Sequence, residues 1–314
     1  MDPLLDLIHD MELTGAVFLD AELTAPWGVA SRVSTDDASA FIPRPAHVIA
    51  YHYVTEGRCV LRVRGRPTTE VGPGSIVLIP RNDYHELASA PEVRAATIAH
   101  LIQPAADGGL ARIFYGGGGE RTRLLCGFLG VSTPNPLIVS VLPPALTIAV
   151  DAGAAEWIES SVKFAAHELV ARRHGSPAVA VRLAELLFIE AVRRHIASLP
   201  PGERGWLAGL RDPVVGRALG LIHGRKAHRW TVPELARECG ASRSAFAERF
   251  TTLMGESPVR YAARQRLSLA AHRLKEYEDS VATIAFEIGF ESEAAFSRAF
   301  KREFGKSPAA WRKA

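Results

Sequence analysis

Cysteine is scarce in this chain: Cys59, Cys126 and Cys239 stand far apart in 314 residues, and no Cys-x-x-Cys pair occurs. That spacing excludes a zinc ribbon and offers no disulfide framework. Long apolar runs are missing too; none approaches the roughly 20 residues that span a bilayer. Residues 1–10 are acidic and lack the cationic-apolar pattern of a secretory leader. Together these absences predict a cytoplasmic protein with no membrane partner. The glycine run 116–119 is followed by no Gly-Lys-Ser/Thr and preceded by no strand–helix context. It reads as a flexible loop, and as a lip over a pocket, rather than a phosphate cradle. What remains is the composition of a folded chain, 47% hydrophobic and 23% charged, long enough for about two domains.

The most informative pattern occurs twice near the C-terminal end. Residues 230–250 and 280–300 each read as a short helix, a glycine, a polar cap and a longer amphipathic helix. In the first copy Thr231 is placed to cap, with Pro233 and Glu234 in the first turn. Gly240 supplies a left-handed turn, and Ser242 caps the next helix. Phe246, Phe250 and Leu253 then recur at i, i+4 and i+7 on an inward stripe. The second copy repeats this with Ser280, Ile284, Ala285, Ile288, Gly289 and Ser292, and with Phe296, Phe300 and Phe304 inward. This is the tri-helical unit that reads DNA, written in tandem.

Ordinary helical hairpins would share the caps and the turn, so charge must decide. Residues 213–314 hold 18 basic and 11 acidic side chains, whereas the rest holds 19 and 23. The positive balance lies where the motifs lie, as phosphate binding requires. The closing Phe-Ser-Arg-Ala-Phe-Lys-Arg-Glu-Phe-Gly-Lys-Ser-Pro (296–308) and Gly-Glu-Ser-Pro (255–258) resemble the DNA-binding domain of AraC/XylS-family transcription regulators. The resemblance covers about a third of the chain, and a long helix over 259–276 would join the two units.

On the recognition helices the solvent-facing positions are Arg243, Ser244, Ala247 and Glu248, then Glu291, Glu293, Ala294, Ser297 and Arg298. Arg243 and Arg298 suit bidentate contacts to guanine. Glu248 and Glu293 either accept from cytosine or orient the arginines. Lys301 and Arg302 lie further along and suit phosphate. Double-stranded DNA is thus the expected partner, joined by RNA polymerase if the protein is an activator.

The N-terminal half changes texture. Short β-branched runs over 47–55, 59–64, 75–80, 95–101 and 122–131 suggest a sandwich or barrel. Residues 74–85, Gly-Ser-Ile-Val-Leu-Ile-Pro-Arg-Asn-Asp-Tyr-His, resemble the second motif of cupin barrels. Asn82 stands in a glycine place, where a positive φ is tolerable. The first cupin motif is degenerate: its Glu position falls on Ala50, and its paired His positions hold no histidine. The usual ligand set of three His and one Glu is absent.

On the strand 47–55, Val48, Ala50, His52 and Val54 share one face, which directs His52 inward. His85 stands where cupins place a ligand, and Cys126 alternates with Leu124 and Phe128 on a late strand. Three readings of His52, His85 and Cys126 stand open: a transition-metal site such as zinc, a metal-free pocket for a small effector, and a purely structural barrel. The stretches 51–59 and 124–127 resemble cupin sensor domains attached to AraC-type regulators. A cupin metal-dependent enzyme fused to a DNA-binding domain is the alternative, and the degenerate first motif argues against it.

Between the halves, 155–173 and 177–198 read as amphipathic helices. Val181, Ala184, Leu187, Phe188, Ala191 and Val192 form a stripe that packs either on the barrel or, as the family resemblance implies, across a homodimer interface. Residues 199–205, rich in proline and glycine, read as a hinge. The expected chain is an α+β multidomain protein. A cupin-like β-barrel effector domain spans 1–150, a helical dimerisation segment and hinge spans 151–205, and an all-α domain of two helix-turn-helix units spans 206–314. Its expected function is effector-responsive, sequence-specific transcription regulation, with no catalysis.

Overall fold

The computed structural model describes residues 4–5, 8, 11–39, 41–43, 45–98, 101–103, 110–132, 137–150, 152–171 and 174–313. Two compact units divide the chain, one spanning Ile8–His195 and the other holding Leu4, Leu5 and the chain from Ile196 on.

The first unit is built on strands β1 (Leu13–Thr24), β2 (Gly28–Ser31), β3 (His47–Glu56), β4 (Cys59–Val63), β5 (Thr69–Val71) and β6 (Ser75–Ile79). They are followed by β7 (His85–Ala88), β8 (Ala96–Thr97), β9 (Ile102–Gln103), β10 (Ala111–Gly116), β11 (Arg121–Val131) and β12 (Leu146–Ala149). They form a seven-stranded sheet in the order β12-β6-β3-β11-β1-β10-β9 and a five-stranded sheet in the order β5-β4-β7-β2-β8. Among the described residues no ladder joins the two sheets, so the closed barrel expected from the sequence is instead a pair of open sheets.

Alternation explains why the sheets hold together. On β1, Leu19, Ala21 and Leu23 point into a core shared with Val29, Leu61 and Leu87 of the other sheet. The intervening Asp20 and Glu22 face outward, where Arg123 and Arg121 of neighbouring β11 meet them at 2.9 Å and 3.9 Å.

Two loops show what the backbone demands. Asn82 has φ 52°, and its side chain holds the turn: Oδ1 accepts from Val33 N at 3.3 Å, and Nδ2 donates to Val33 O. The glycine run is not the flexible loop expected. Gly117 N donates to Thr24 O at 2.9 Å and Gly119 N to Ala25 O at 2.8 Å. A Cβ on Gly116 would lie 1.8 Å from Thr24 O, so the run permits two backbones to touch.

Helices α1 (Thr35–Ala38) and α2 (Leu137–Val141) are short; α3 (Ala152–Ala171) and α4 (Ser176–Ser198) are long. The apolar stripe of α4 is spent inside the unit. Ala184, Phe188, Ala191 and Val192 are buried. Ala184, Leu187 and Phe188 also wall a void of about 30 Å³ against Phe18, Tyr51 and Tyr53 of the larger sheet. Among the described residues, the large apolar side chains left exposed on these two helices are Trp157, Phe164, Val179 and Leu186.

The second unit is all-helical: α5 (Trp206–Arg211), α6 (Pro213–Gly224), α7 (Val232–Glu238), α8 (Arg243–Met254), α9 (Pro258–Glu276), α10 (Val281–Glu287), α11 (Glu293–Phe304) and α12 (Pro308–Arg312). The expected caps are in place. Thr231, Ser242, Ser280 and Ser292 each accept from the backbone N–H three residues on, and Gly240 and Gly289 turn with φ 67° and 84°. Each hairpin has its own core. Leu235, Phe246 and Phe250 are buried in the first, and Ile284, Ile288, Phe296 and Phe300 in the second. Helix α9 serves both, packing Tyr261 against Phe250 and Leu267, Ala270 and Leu274 into the second core.

Candidate functional site

The capped hairpins set the outer faces of α8 and α11. With Phe246 and Phe250 turned inward, 100° steps bring Arg243, Ser244 and Glu248 to the exposed side, while Ala247 is half-buried. On α11 the same logic exposes Glu293, Ala294, Arg298, Lys301 and Arg302 and leaves Ser297 half-buried.

These cations differ from their neighbours in having no carboxylate. Arg243, Arg298, Lys301 and Arg302 make no ion pair among the described residues. By contrast, Arg249 meets Asp212 at 2.6 Å, Arg273 meets Glu287, and Arg229 meets Glu291 at 2.7 Å. Glu291, expected on the reading face, is therefore engaged by Arg229 of the first hairpin. An unpaired cation on a protruding helix loses no internal partner when it meets a phosphate or a base edge.

The structure also brings His52, His85 and Cys126 together between the sheets. Register does this: β3 and β11 pair Cys126 with His52, and β4 and β2 flank His85 on β7. All three are buried. His52 Nδ1 lies 3.0 Å from Cys126 Sγ, His52 Nε2 lies 2.7 Å from His85 Nε2, and His85 Nδ1 lies 2.9 Å from Asp83 O.

One carbonyl orders the whole chain of bonds. Asp83 O can only accept, so His85 Nδ1–H donates to it, leaving a lone pair on His85 Nε2. His52 Nε2–H therefore donates to His85, and Cys126 S–H donates to His52 Nδ1. Every member is neutral, as burial requires. Burial pushes His52 well below the ordinary imidazole value, and positive charge on His85 would push it further. Burial also lowers His85, against an opposing pull from Asp83, and raises the Cys126 thiol.

The same geometry does not present a formed metal site. Cys126 and His85 lie at opposite nitrogens of the His52 ring, so as placed the three do not face one ion. No group of three His, Cys, Asp or Glu side chains among the described residues is placed to hold one. The void beside them is about 10 Å³ and is walled by Ser31, Leu23, Val29, Leu87 and Ile98 as well as the histidines. That is room for about one water. Residues 115–120, expected as its lip, do not line it. Ser31 and the Asp83 carbonyl were not foreseen; no spacing rule marks a β-strand serine or a backbone oxygen.

No helix among the described residues is long and apolar enough to cross a membrane. Residues 2–197 match a family model described as Cupin, and residues 235–314 one described as Helix-turn-helix domain. A Streptomyces lividans protein described as an AraC-like transcription regulator is 34% identical over 268 residues, covering 85% of this chain and 87% of that one. The HTH-type transcriptional regulator AlkR of Acinetobacter baylyi is 30% identical over 318 residues, 99% of each chain. An AraC-type regulator structure from Chromobacterium violaceum aligns with 34% of this chain and 94% of its own, with 25% identity and a TM-score of 0.32. These relatives are regulators, not enzymes. The chain belongs to the AraC family of DNA-binding transcription regulators, with an N-terminal cupin region and a C-terminal helix-turn-helix domain.

Proposed function

We propose that this regulator reads two successive major grooves with α8 and α11, and that a small molecule held between the sheets of its β-rich unit controls it. The observation that carries the DNA half is the set of unpaired, exposed cations Arg243, Arg298, Lys301 and Arg302 on two helices joined rigidly by α9. Such helices enter the DNA about 34 Å apart on one face. Arg243 and Arg298 read guanine, with Ser244, Ala247, Glu248, Glu293 and Ser297 beside them, and Lys301 and Arg302 grip phosphate. Arg243→Ala removes about 1–3 kcal/mol of discrimination at one base pair. Site selection from a random duplex pool, run with wild type and variant, reads that loss directly. Unchanged base preference with only a shallower salt dependence would reassign Arg243 to phosphate.

The cluster of His52, His85 and Cys126 supplies the polar contacts of the effector site, between the two open sheets of the cupin region. An effector larger than a water enters by parting the two imidazoles, since the void beside them holds only about one water. The exposed Trp157, Phe164, Val179 and Leu186 offer a homodimer contact, and RNA polymerase is the further partner if the protein activates. Mapping bound sites in the genome gives promoters for a reporter. In that reporter His52→Ala and His85→Ala keep promoter occupancy and abolish the response to growth conditions. Full inducibility in the double variant would remove this cluster from the sensor.

A further inference from the structure

The segment just ahead of the first hairpin is tied to its recognition helix at both ends. At the far end of α8, Gly205 N donates to Leu253 O at 2.7 Å. Gly209 of α5 lies so close that a Cβ there would sit 2.9 Å from Met254 Sδ. Trp206 Nε1 donates to Tyr261 OH at 2.9 Å, and that hydroxyl is hydrogen-bonded to His223 Nε2 at 2.7 Å, so α5, α6 and α9 share one buried cluster. Midway along α8, Arg249 Nε donates to Asp212 Oδ2 at 2.6 Å.

Asp212 has two tasks. Its Oδ1 caps α6, accepting from Val214 N at 3.0 Å and Val215 N at 2.9 Å. Its Oδ2 takes Arg249. The carboxylate is nearly buried, at 12% exposure, while Arg249 is 51% exposed on the flank of α8. A free arginine on the flank of a recognition helix is a ready phosphate contact, blind to sequence.

We infer that Asp212 is a positioning residue that withholds Arg249 from the DNA backbone. The first hairpin then grips with fewer sequence-blind contacts, and the base-reading face of α8 contributes a larger share of binding. This inference rests on α8 being the recognition helix proposed above.

The test uses the full chain and follows binding by fluorescence anisotropy across a salt series, on an operator duplex and on a scrambled duplex. Asp212→Asn keeps the cap, because Asn caps as well as Asp, but gives up the charge that holds Arg249. The slope of log K against log salt is expected to steepen by about 0.9, the signature of one added phosphate contact. Scrambled DNA gains more affinity than the operator. Adding Arg249→Gln returns the slope to the wild-type value, and Arg249→Gln alone leaves it unchanged. A purely structural Asp212 would lower the melting temperature without steepening the slope.

The inference is overturned if Asp212→Asn melts like wild type and keeps its slope. It is equally overturned if Arg249→Gln alone makes the slope shallower by about 0.9, since Arg249 would then already touch phosphate. Should Asp212→Asn fail to fold, Asp212→Ser, which also caps and also lacks the charge, takes its place with the same expected and overturning slopes. Failure of α8 as the recognition helix is separable, because Arg243→Ala would then also leave base preference untouched.

Discussion

Phe300→Ala costs the second helix-turn-helix module about 3–5 kcal/mol, a large part of a small domain's stability. Phe300 is fully buried. Its ring sits 5.4 Å from Phe296, 4.6 Å from Phe304 and 5.9 Å from Trp311, centroid to centroid. Removing it takes away the central member of an aromatic stack that nothing nearby can refill. Helices α10–α12 should lose their folded state, while the first module, with Leu235, Phe246 and Phe250 in its own core, keeps its own. Denaturant melts would show an added early transition, and, on the two-groove reading proposed above, a footprint on DNA would shrink from two grooves to one. A complete footprint with an unmoved midpoint would refute this.

Acidification is expected to produce the next largest effect, and it falls on the β-rich unit. Burial holds His52 and His85 below the ordinary imidazole value of 6.5 in the folded state, while the unfolded chain takes up protons near that value. Below about pH 6.5 the unfolded state therefore binds more protons, and stability drops as pH falls toward the folded values. It is fully present above that window. Each histidine contributes at most about 1.4 kcal/mol per pH unit, so the pair gives at most about 2.8 kcal/mol per pH unit. The half-buried His195 is lowered by burial too and adds with the same sign. Urea midpoints of the first unit's transition, taken from neutral to mildly acid pH, measure the slope, and His52→Gln should remove its share. A flat profile would mean the pair is not buried and neutral in solution.

Much of the helical unit was legible because its determinants are local. Ser242 and Ser292 cap, Gly240 and Gly289 turn, and Phe-x-x-x-Phe faces inward, all within one or two turns of chain. Asn82 was legible for the same reason. The β-rich unit was less so. Strand β1 went unseen because Asp20 and Glu22 interrupt its apolar residues, and their partners Arg123 and Arg121 lie about a hundred residues away. Alternation placed His52 on the inner face, yet the pairing of His52 with Cys126 is a matter of register between distant strands. The glycine run was misread because flexibility and close backbone approach call for the same residue, and only the position of Thr24 tells them apart. The stripe on α4 fits a sheet or a second subunit equally well by periodicity; Tyr51 and Tyr53 show which it meets.

Helix α9 gives its first turns to one phenylalanine core and its last turns to the other, and among the described residues no side chain of α8 enters the second core. On the two-groove reading proposed above, α8 and α11 are therefore free to vary separately. A substitution at Arg298 leaves the packing around Phe246 untouched, and one at Arg243 leaves that around Phe300. Promoters facing such a protein can drift in one half while the other is retained. A lineage can acquire new targets by halves, without passing through a form that binds nothing.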